Sequence, residues 1–410
     1  RRRIRETTMI PNERSKTAIE KMKISIMKLI LYLLMLFMLS GCLGGREIND
    51  LEIVIGMGVD KDENTGKILL TAQVVKEEEA GRATGDGGEG SKAFWNVSST
   101  GDSIFEAVRQ ITHKTGNRLF VSHNQVVIFG YDIVKEGLQK YIDFFLRAHE
   151  MRPTALILIA EGRALDVMDA KPETEKFPAI NIAKLVKSYG FTSHFYKVNM
   201  KDFASCLMSA TTAPVAPLVS VLQHKGGKDV YVSGMGVFKK GKMVGKLNDD
   251  EVRGLLWVLG EVKSGVILVS SPDGQGSAFL EILSAKSKVT PEIKDGKIVM
   301  HVKIKEESSL SEQTTTEDLA TISAFEKIQE AQAEVIRQEI MAAFDKSKEL
   351  KADIFGFGEI LHKKYSNEWK TFRDNWDDIY PTIELNIDVE TKILKTDLLK
   401  KPVLPSEGEK

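Results

Sequence analysis

The sequence predicts an α+β protein, with sheets flanked by helices, behind a cleaved lipoprotein signal peptide. Three observations predict it. An apolar run from Ile24 to Leu39 ends in Leu39-Ser40-Gly41-Cys42; strand-like and helix-like stretches alternate from Leu51 to Met168; and from Val230 the pattern turns to hairpins joined to one long amphipathic helix.

The first segment has the three parts of a secretory signal. Lys21, Lys23 and Lys28 supply positive charge, and Ile24 to Leu39 is apolar apart from Ser25 and Lys28. Small residues Ser40 and Gly41 then precede Cys42, which is the order of a lipobox. Met27 to Leu39 falls short of the roughly 20 apolar residues a spanning helix needs. A cysteine suits the role because its thiolate is readily alkylated. Two acyl chains, at about 0.8 kcal/mol per buried methylene, hold stably where one does not. Cys42 is therefore the expected lipidation site, with Leu39, Ser40 and Gly41 as its lipobox. Arg1 to Glu20 has no place in this design; Met22 or Met27 is the expected initiator, and residues 1–41 read as an upstream extension plus signal peptide.

Without residues 1–41, Lys and Arg fall from 57 to 48 and Asp and Glu from 58 to 55, a net charge of about −7. That argues against a general nucleic-acid binder. Only Cys206 remains beside a lipidated Cys42, which leaves no intramolecular disulfide and makes packing the source of stability. The body divides into an N-terminal α+β part over 42–170, a helical middle region or linker over 171–228, and a C-terminal α+β part over 229–410.

In chain order, Leu51 to Asp60 and Lys67 to Lys76 form a hairpin around a polar turn. Phe94 to Ser98 is a short strand. A helix capped by Asp102 or Ser103 follows, with Phe105, Val108 and Thr112 along one face. Leu119 to Phe129 is a strand. Ile133 to Ala148 is a helix burying Ile133, Val134, Leu138, Tyr141, Ile142 and Phe145. Ala155 to Ala160 is a strand and Arg163 to Met168 a helical turn. Beyond the break at Lys171 to Pro178, Ile180 to Ser188 and Met200 to Ala210 are helices, and Thr212 to Pro217 is a linker. Val230 to Val232 and Met235 to Phe238 run into a turn at Lys239 to Lys242. Asp295-Gly296 between apolar-alternating flanks marks a hairpin. Thr316 to Glu349 is a long amphipathic helix with Leu319, Ile322, Phe325, Ile328, Val335 and Phe344 near one face and Glu, Gln and Lys on the other. Ile383, Leu385, Ile387 and Val389 alternate as a half-exposed strand.

Few residues carry recognisable chemistry. Asp60-x-Asp62-x-Asn64 opens like a calcium loop, but Gly66 comes one position late and Thr71 stands where a bidentate glutamate is needed, so a hairpin turn is the better reading. Gly56-Met57-Gly58, Gly234-Met235-Gly236 and Gly356-Phe357-Gly358 lack the third glycine of a phosphate loop and fit bulges or tight strand packing. The histidines show no paired ligand spacing, and His123-Asn124 has no nucleophile elbow beside it. Cys206 sits among apolar neighbours as a small core residue. Trp369 and Trp376 share a helical face with Phe372, as a core contact or as a partner-facing hot spot, the core being favoured. No catalytic, metal or cofactor site emerges.

In order along the chain, these residues resemble the Ger(x)C family, the C subunits of GerA-type spore germinant receptors. The resemblance rests on Leu39-Ser40-Gly41-Cys42, Arg46-Glu47-Ile48 and Ile55-Gly56-Met57-Gly58-Val59-Asp60. It continues through Ser122-His123, Val126-Val127-Ile128 and Phe144-Phe145-Leu146-Arg147 with Arg152. The second half adds Gly236-Val237-Phe238-Lys239-Lys240-Gly241-Lys242, Gly245 and Glu251-x-Arg253-Gly254-Leu255-Leu256-Trp257. Most telling are Ala352-Asp353-Ile354-Phe355-Gly356-Phe357-Gly358-Glu359, His362-Lys363-Lys364-Tyr365, Glu368-Trp369 and Trp376. Leu43-Gly44 stands where members commonly have Trp-Asp, and Thr396-Asp397 where they have Thr-Gly. The resemblance implies three mixed α/β domains and a non-enzymatic lipoprotein on the outer face of the spore inner membrane. It also implies partners: an integral-membrane A subunit and a transporter-like B subunit, with a small-molecule germinant sensed at most indirectly. A solute-binding lipoprotein that hands a nutrient to a transporter-like partner is the alternative. It calls for two doubly wound lobes around a cleft, which the hairpin-rich second half does not suggest.

Overall fold

The computed structural model describes residues 13–39, 50–76, 92–170, 175–225 and 227–396. Helix α1 (Glu13–Leu39) belongs to one compact unit and the body from Glu52 onward is the other. The helix contains the predicted apolar run and begins ahead of it, and its large apolar side chains from Met22 to Met35 are exposed. Among the described residues no helix is long and apolar enough to cross a membrane. Ser40, Gly41 and Cys42 lie outside the described residues, and Leu39 is the last of α1.

The body opens with the predicted hairpin, β1 (Leu51–Lys61) and β2 (Ile68–Val75), continued by β3 (Phe94–Gly101). Its turn is held by Asp62, whose carboxylate accepts from Thr65 N at 2.8 Å and Thr65 Oγ1 at 2.6 Å. Strands β4 (Arg118–Phe120), β5 (Val126–Phe129) and β6 (Leu156–Ala160) follow, then β7 (Val215–His224), β8 (Gly227–Lys239) and β9 (Lys242–Leu247). Together they make a nine-stranded sheet in the order β3-β2-β1-β5-β6-β7-β8-β9, with β4 beside β1. Strands β1, β5, β6 and β7 run parallel, and antiparallel hairpins close both ends.

Parallel strands buried on both faces need continuous apolar runs. Val126-Val127-Ile128-Phe129 and Leu156-Ile157-Leu158-Ile159-Ala160 are such runs, with alternate side chains entering two separate cores. One core lies under α2 (Ile104–Thr115), α3 (Tyr131–Glu136), α4 (Gln139–Arg147) and part of a later helix; the other lies under α5 (Ala164–Asp169) and α6 (Pro178–Lys187). On that second face Gly56 and Gly58 let the helices come close: a Cβ at Gly56 would stand 2.5 Å from Ala179 Cβ, and one at Gly58 2.7 Å from Met168 Sδ. Close packing of helices on the strand therefore explains this GxG, beside a register shift between Val54 and Gly56.

The first core continues through α7 (Met200–Met208) into the second half. There β10 (Val266–Ser270), β11 (Ser277–Lys294), β12 (Lys297–Gln313) and β13 (Glu384–Thr396) form a four-stranded sheet in sequence order, β13 parallel to β12. Asp295 and Gly296, with φ of 49° and 75°, close the β11–β12 hairpin as the Asp-Gly pair predicts. Helices α8 (Asp249–Leu259) and α9 (Ile322–Glu349) pack on this sheet, and α10 (Phe357–Lys364), α11 (Trp369–Phe372) and α12 (Trp376–Ile379) complete it.

Several elements differ from expectation. The strand expected over 119–129 is broken by a 3₁₀ turn at Val121–His123. The helix expected over 133–148 is two, because Gly137 (φ 127°) ends α3 and Leu138 N turns to donate to Gly241 O at 2.7 Å. All six of its predicted core residues are nonetheless buried. The linker expected over 212–217 leads into β7, which uses its first residues to pair with β8. In α2 the buried stripe is Ile104, Ala107 and Ile111, one position ahead of the expected face, and Phe105 is 56% exposed. The long helix starts at Ile322, capped by Thr321, whose hydroxyl accepts from Ala324 N. Its buried side carries Gln332 and Glu339 as well as Ile328, Ile336 and Ile340, while Ile322 is 81% exposed.

Candidate functional site

Three sets of the singled-out polar residues turn out to be internal clamps. The first is Asp60, buried at the end of β1. It accepts from Ala164 N at 2.7 Å and Leu165 N at 2.9 Å, capping α5 across 104 residues of chain. Burial raises its carboxyl above the ordinary range, and the two amides oppose that rise. Asp60 therefore serves a helix N-terminus and not a calcium loop.

The second clamp joins α8 to α9. A Cβ on Gly254 would lie 1.9 Å from Glu339 O, so the helices cross at a separation only glycine allows. The buried Glu339 carboxylate then accepts from Arg253 Nε at 2.9 and 3.0 Å and from Trp257 Nε1 at 2.8 Å, and it also meets Arg253 Nη2. Arg253 Nη1 donates to Val266 O at 3.1 Å, tying in β10. Residues 253, 254 and 257 thus form one lock, built on the capping box of Asn248 and Glu251.

The third clamp is Asp353. It accepts from Phe357 N at 2.9 Å, Gly358 N at 2.8 Å and Trp376 Nε1 at 3.3 Å, while its carbonyl takes Ala213 N at 2.8 Å. Burial pushes its carboxyl up to about 6, with the Gly358 and Phe357 amides pulling it back. A Cβ on Gly358 would fall 2.7 Å from Thr211 Cβ, so this motif seats the segment that leads into β7. Trp369 and Trp376 pack 5.2 Å apart and are both buried, which settles them as core.

The remaining candidates stay apart. His123 is exposed, its ring 5.6 Å from that of Phe120. Cys206 is half-buried on α7, its thiol pushed up by burial. Among the described residues no group of three His, Cys, Asp or Glu side chains is placed to hold a metal ion.

The most developed surface feature is a groove of about 780 Å³ between α2, α4 and the β1–β2 turn. Ile68, Ile104, Phe105, Tyr141 and Phe144 form its apolar lining, with the Phe105 and Phe144 rings 6.5 Å apart. Its rim is charged. Lys67 pairs with Asp102 at 3.0 Å and Arg147 with Asp143 at 2.8 Å. Glu136 accepts from Lys61, from Lys140 at 3.1 Å and from Tyr141 Oη at 3.1 Å. Its ammonium partners, Lys61 foremost, hold the Glu136 carboxyl down at about 2. Phe144 and Arg147 belong to the sequence stretches that carry the family resemblance, and Phe105, on the helical face that the sequence singles out, is exposed.

Residues 44–221 match the family model described as the spore germination protein N-terminal domain. Residues 233–397 match that of the Spore germination B3/GerAC-like C-terminal domain. The chain belongs to the Ger(x)C family. Its relatives include spore germination protein KC of Bacillus subtilis (strain 168), 27% identical over 91% of this chain and 96% of that protein. Spore germination protein B3 of the same organism is 24% identical over 88% and 95%. The crystal structure of the GerBC protein shares the fold, with a TM-score of 0.55 and 21% identity over 82% of this chain and 97% of that one. In this Ger(x)C chain the two matched regions meet between β7 and β8, two strands of one sheet. Of the three clamps, those at Arg253 and Asp353 fall in the C-terminal match and that at Asp60 in the N-terminal match.

Proposed function

We propose that this chain is the lipid-anchored C subunit of a nutrient germinant receptor, needed for spore germination through assembly with integral-membrane A and B subunits. Cys42 carries the diacylglyceryl anchor and holds the body on the outer face of the spore inner membrane. The body acts through protein surfaces and catalyses no reaction. The observation that carries the reading is family membership across both halves of the chain, behind a lipobox in correct order. The motif residues support it too, because they are engaged in holding elements together.

Two measurements test the reading. Cys42→Ala is expected to abolish labelling by radioactive lipid and to release the protein from membranes; normal labelling of that variant removes the anchor. Affinity isolation of the wild-type chain from spores is expected to bring the A and B subunits with it, and their absence removes the assembly role.

A further inference from the structure

The β11–β12 hairpin has a covered face and an open one. Helix α9 lies on the covered face, where its Gln332 meets Glu306. On the open face the hairpin sets lysine opposite lysine three times: Lys286 against Lys305, Lys288 against Lys303, and Lys294 against Lys297. Like charges directly opposite each other destabilise a sheet. The β12 lysines are relieved by carboxylates of β13: Lys297 meets Glu384, Lys303 meets Asp388 and Lys305 meets Glu390, each at 2.8 Å. No such relief reaches β11. Lys286 and Lys288 are exposed and have no ion-pair partner among the described residues. The acids of β11 on this face do not serve them: Glu292 is held by His301 at 2.7 Å, and Glu281 stands about 17 Å along the strand from Lys286. Aliphatic side chains adjoin the two lysines. Leu283, at the register shift between Ile282 and Ser284, is 40% exposed, and Val266 and Leu268 of β10 are 54% and 53% exposed. Guarding β11 against stray strand pairing needs neither feature, because Pro291 already interrupts its row of donors.

We propose that the open face of this hairpin rests on an anionic lipid surface, with Lys286 and Lys288 against lipid phosphates and Leu283 in the headgroup layer. Basic and aliphatic side chains side by side on one face are the chemistry of interfacial membrane binding. The two ammoniums left over from internal pairing are drawn to a negatively charged surface, and the aliphatic side chains gain by leaving water. A bilayer is the fitting occupant because the tether proposed at Cys42 holds the body beside one, where a contact too weak to act alone becomes effective. The inference rests on that anchor and names the face that the body turns to the membrane.

The test uses the full-length lipidated chain in vesicles of phosphatidylcholine, with and without phosphatidylglycerol. Cys206→Ser removes the other thiol, and a fluorophore is placed on Leu283→Cys or, as control, on Ile322→Cys of the helix that lies on the covered face. Nitroxides on the lipid headgroups should quench position 283 in the phosphatidylglycerol vesicles only, and position 322 in neither. Lys286→Gln with Lys288→Gln should lower the ratio of quenched to unquenched label about twentyfold, and high salt should act the same way. The double substitution should not lower the melting temperature, since it removes like-charge contacts. Equal quenching in neutral vesicles, quenching indifferent to the two substitutions, or none while the chain floats with the vesicles, each overturns the face and leaves the anchor standing. So does a benzoylphenylalanine at position 283 that, in spore membranes, forms adducts with protein in place of lipid. A lipidated chain that does not float with the vesicles overturns the anchor and this orientation together.

Discussion

Glu306 offers the sharpest test of how this fold is balanced. It sits on the inner face of β12, between Ala285 of β11 and Thr391 of β13 and beneath α9. It is 1% exposed. One carboxyl oxygen takes Gln332 Nε2 at 2.8 Å, and the other has no hydrogen-bond partner among the described residues. Burial, more than the neighbouring Glu307, pushes its carboxyl from 4.5 up to about 8. The sign follows from linkage. Below pH 4.5 the group is protonated in both folded and unfolded chains and costs nothing. Between pH 4.5 and about 8 the unfolded chain is ionised while the folded one keeps its proton, so stability falls as pH rises through that window. At about 1.36 kcal/mol per unit, the loss is about 3 kcal/mol at pH 7 and about 5 kcal/mol above pH 8. Glu306→Gln keeps the carbonyl that Gln332 donates to and cannot ionise. Urea unfolding of the body from Glu52 onward should therefore show the variant about 3 kcal/mol more stable than wild type at pH 7, the gap closing towards pH 4.5. A gap that does not change with pH, or a variant less stable at pH 8, refutes the reasoning.

Other outcomes follow from the clamps. Glu339→Ala should cost about 3–5 kcal/mol in urea unfolding, because it strands a buried guanidinium; replacing Arg253 by Met in the same chain should recover part of that loss. Gly254→Ala should lower the thermal midpoint sharply even though alanine favours helices, since its Cβ would meet the backbone of Glu339. Asp353→Asn should destabilise by about 2–4 kcal/mol, because an amide cannot accept from both Phe357 N and Gly358 N, and a buried unmade hydrogen bond costs about 1–3 kcal/mol. Its tryptophan fluorescence should report the loosened Trp376 first.

Much of the fold was legible because its signals are local. Period-two alternation marked β13, an Asp-Gly pair marked the β11–β12 turn, and continuous apolar runs marked β5 and β6. Errors arose where a second stretch of chain decides. Phe105-Val108 and Ile104-Ala107-Ile111 have equally helical spacing, and only the sheet beneath α2 chooses between them. Gly137 reads as a tolerable helix residue until Gly241 O is seen to draw Leu138 away. Thr212 to Pro217 reads as a linker until β8 supplies its pairing.

By itself the sequence determined the family and the order of elements, since each depends on neighbours a few residues apart. Tertiary structure alone decided that Asp60, Arg253 and Asp353 are clamps and that the α2–α4 groove exists. The reason is that desolvation and ion pairing act through space. Arg253 and Glu339 lie 86 residues apart in the chain and hydrogen-bonded in the fold, and no periodicity in either segment encodes the other's charge.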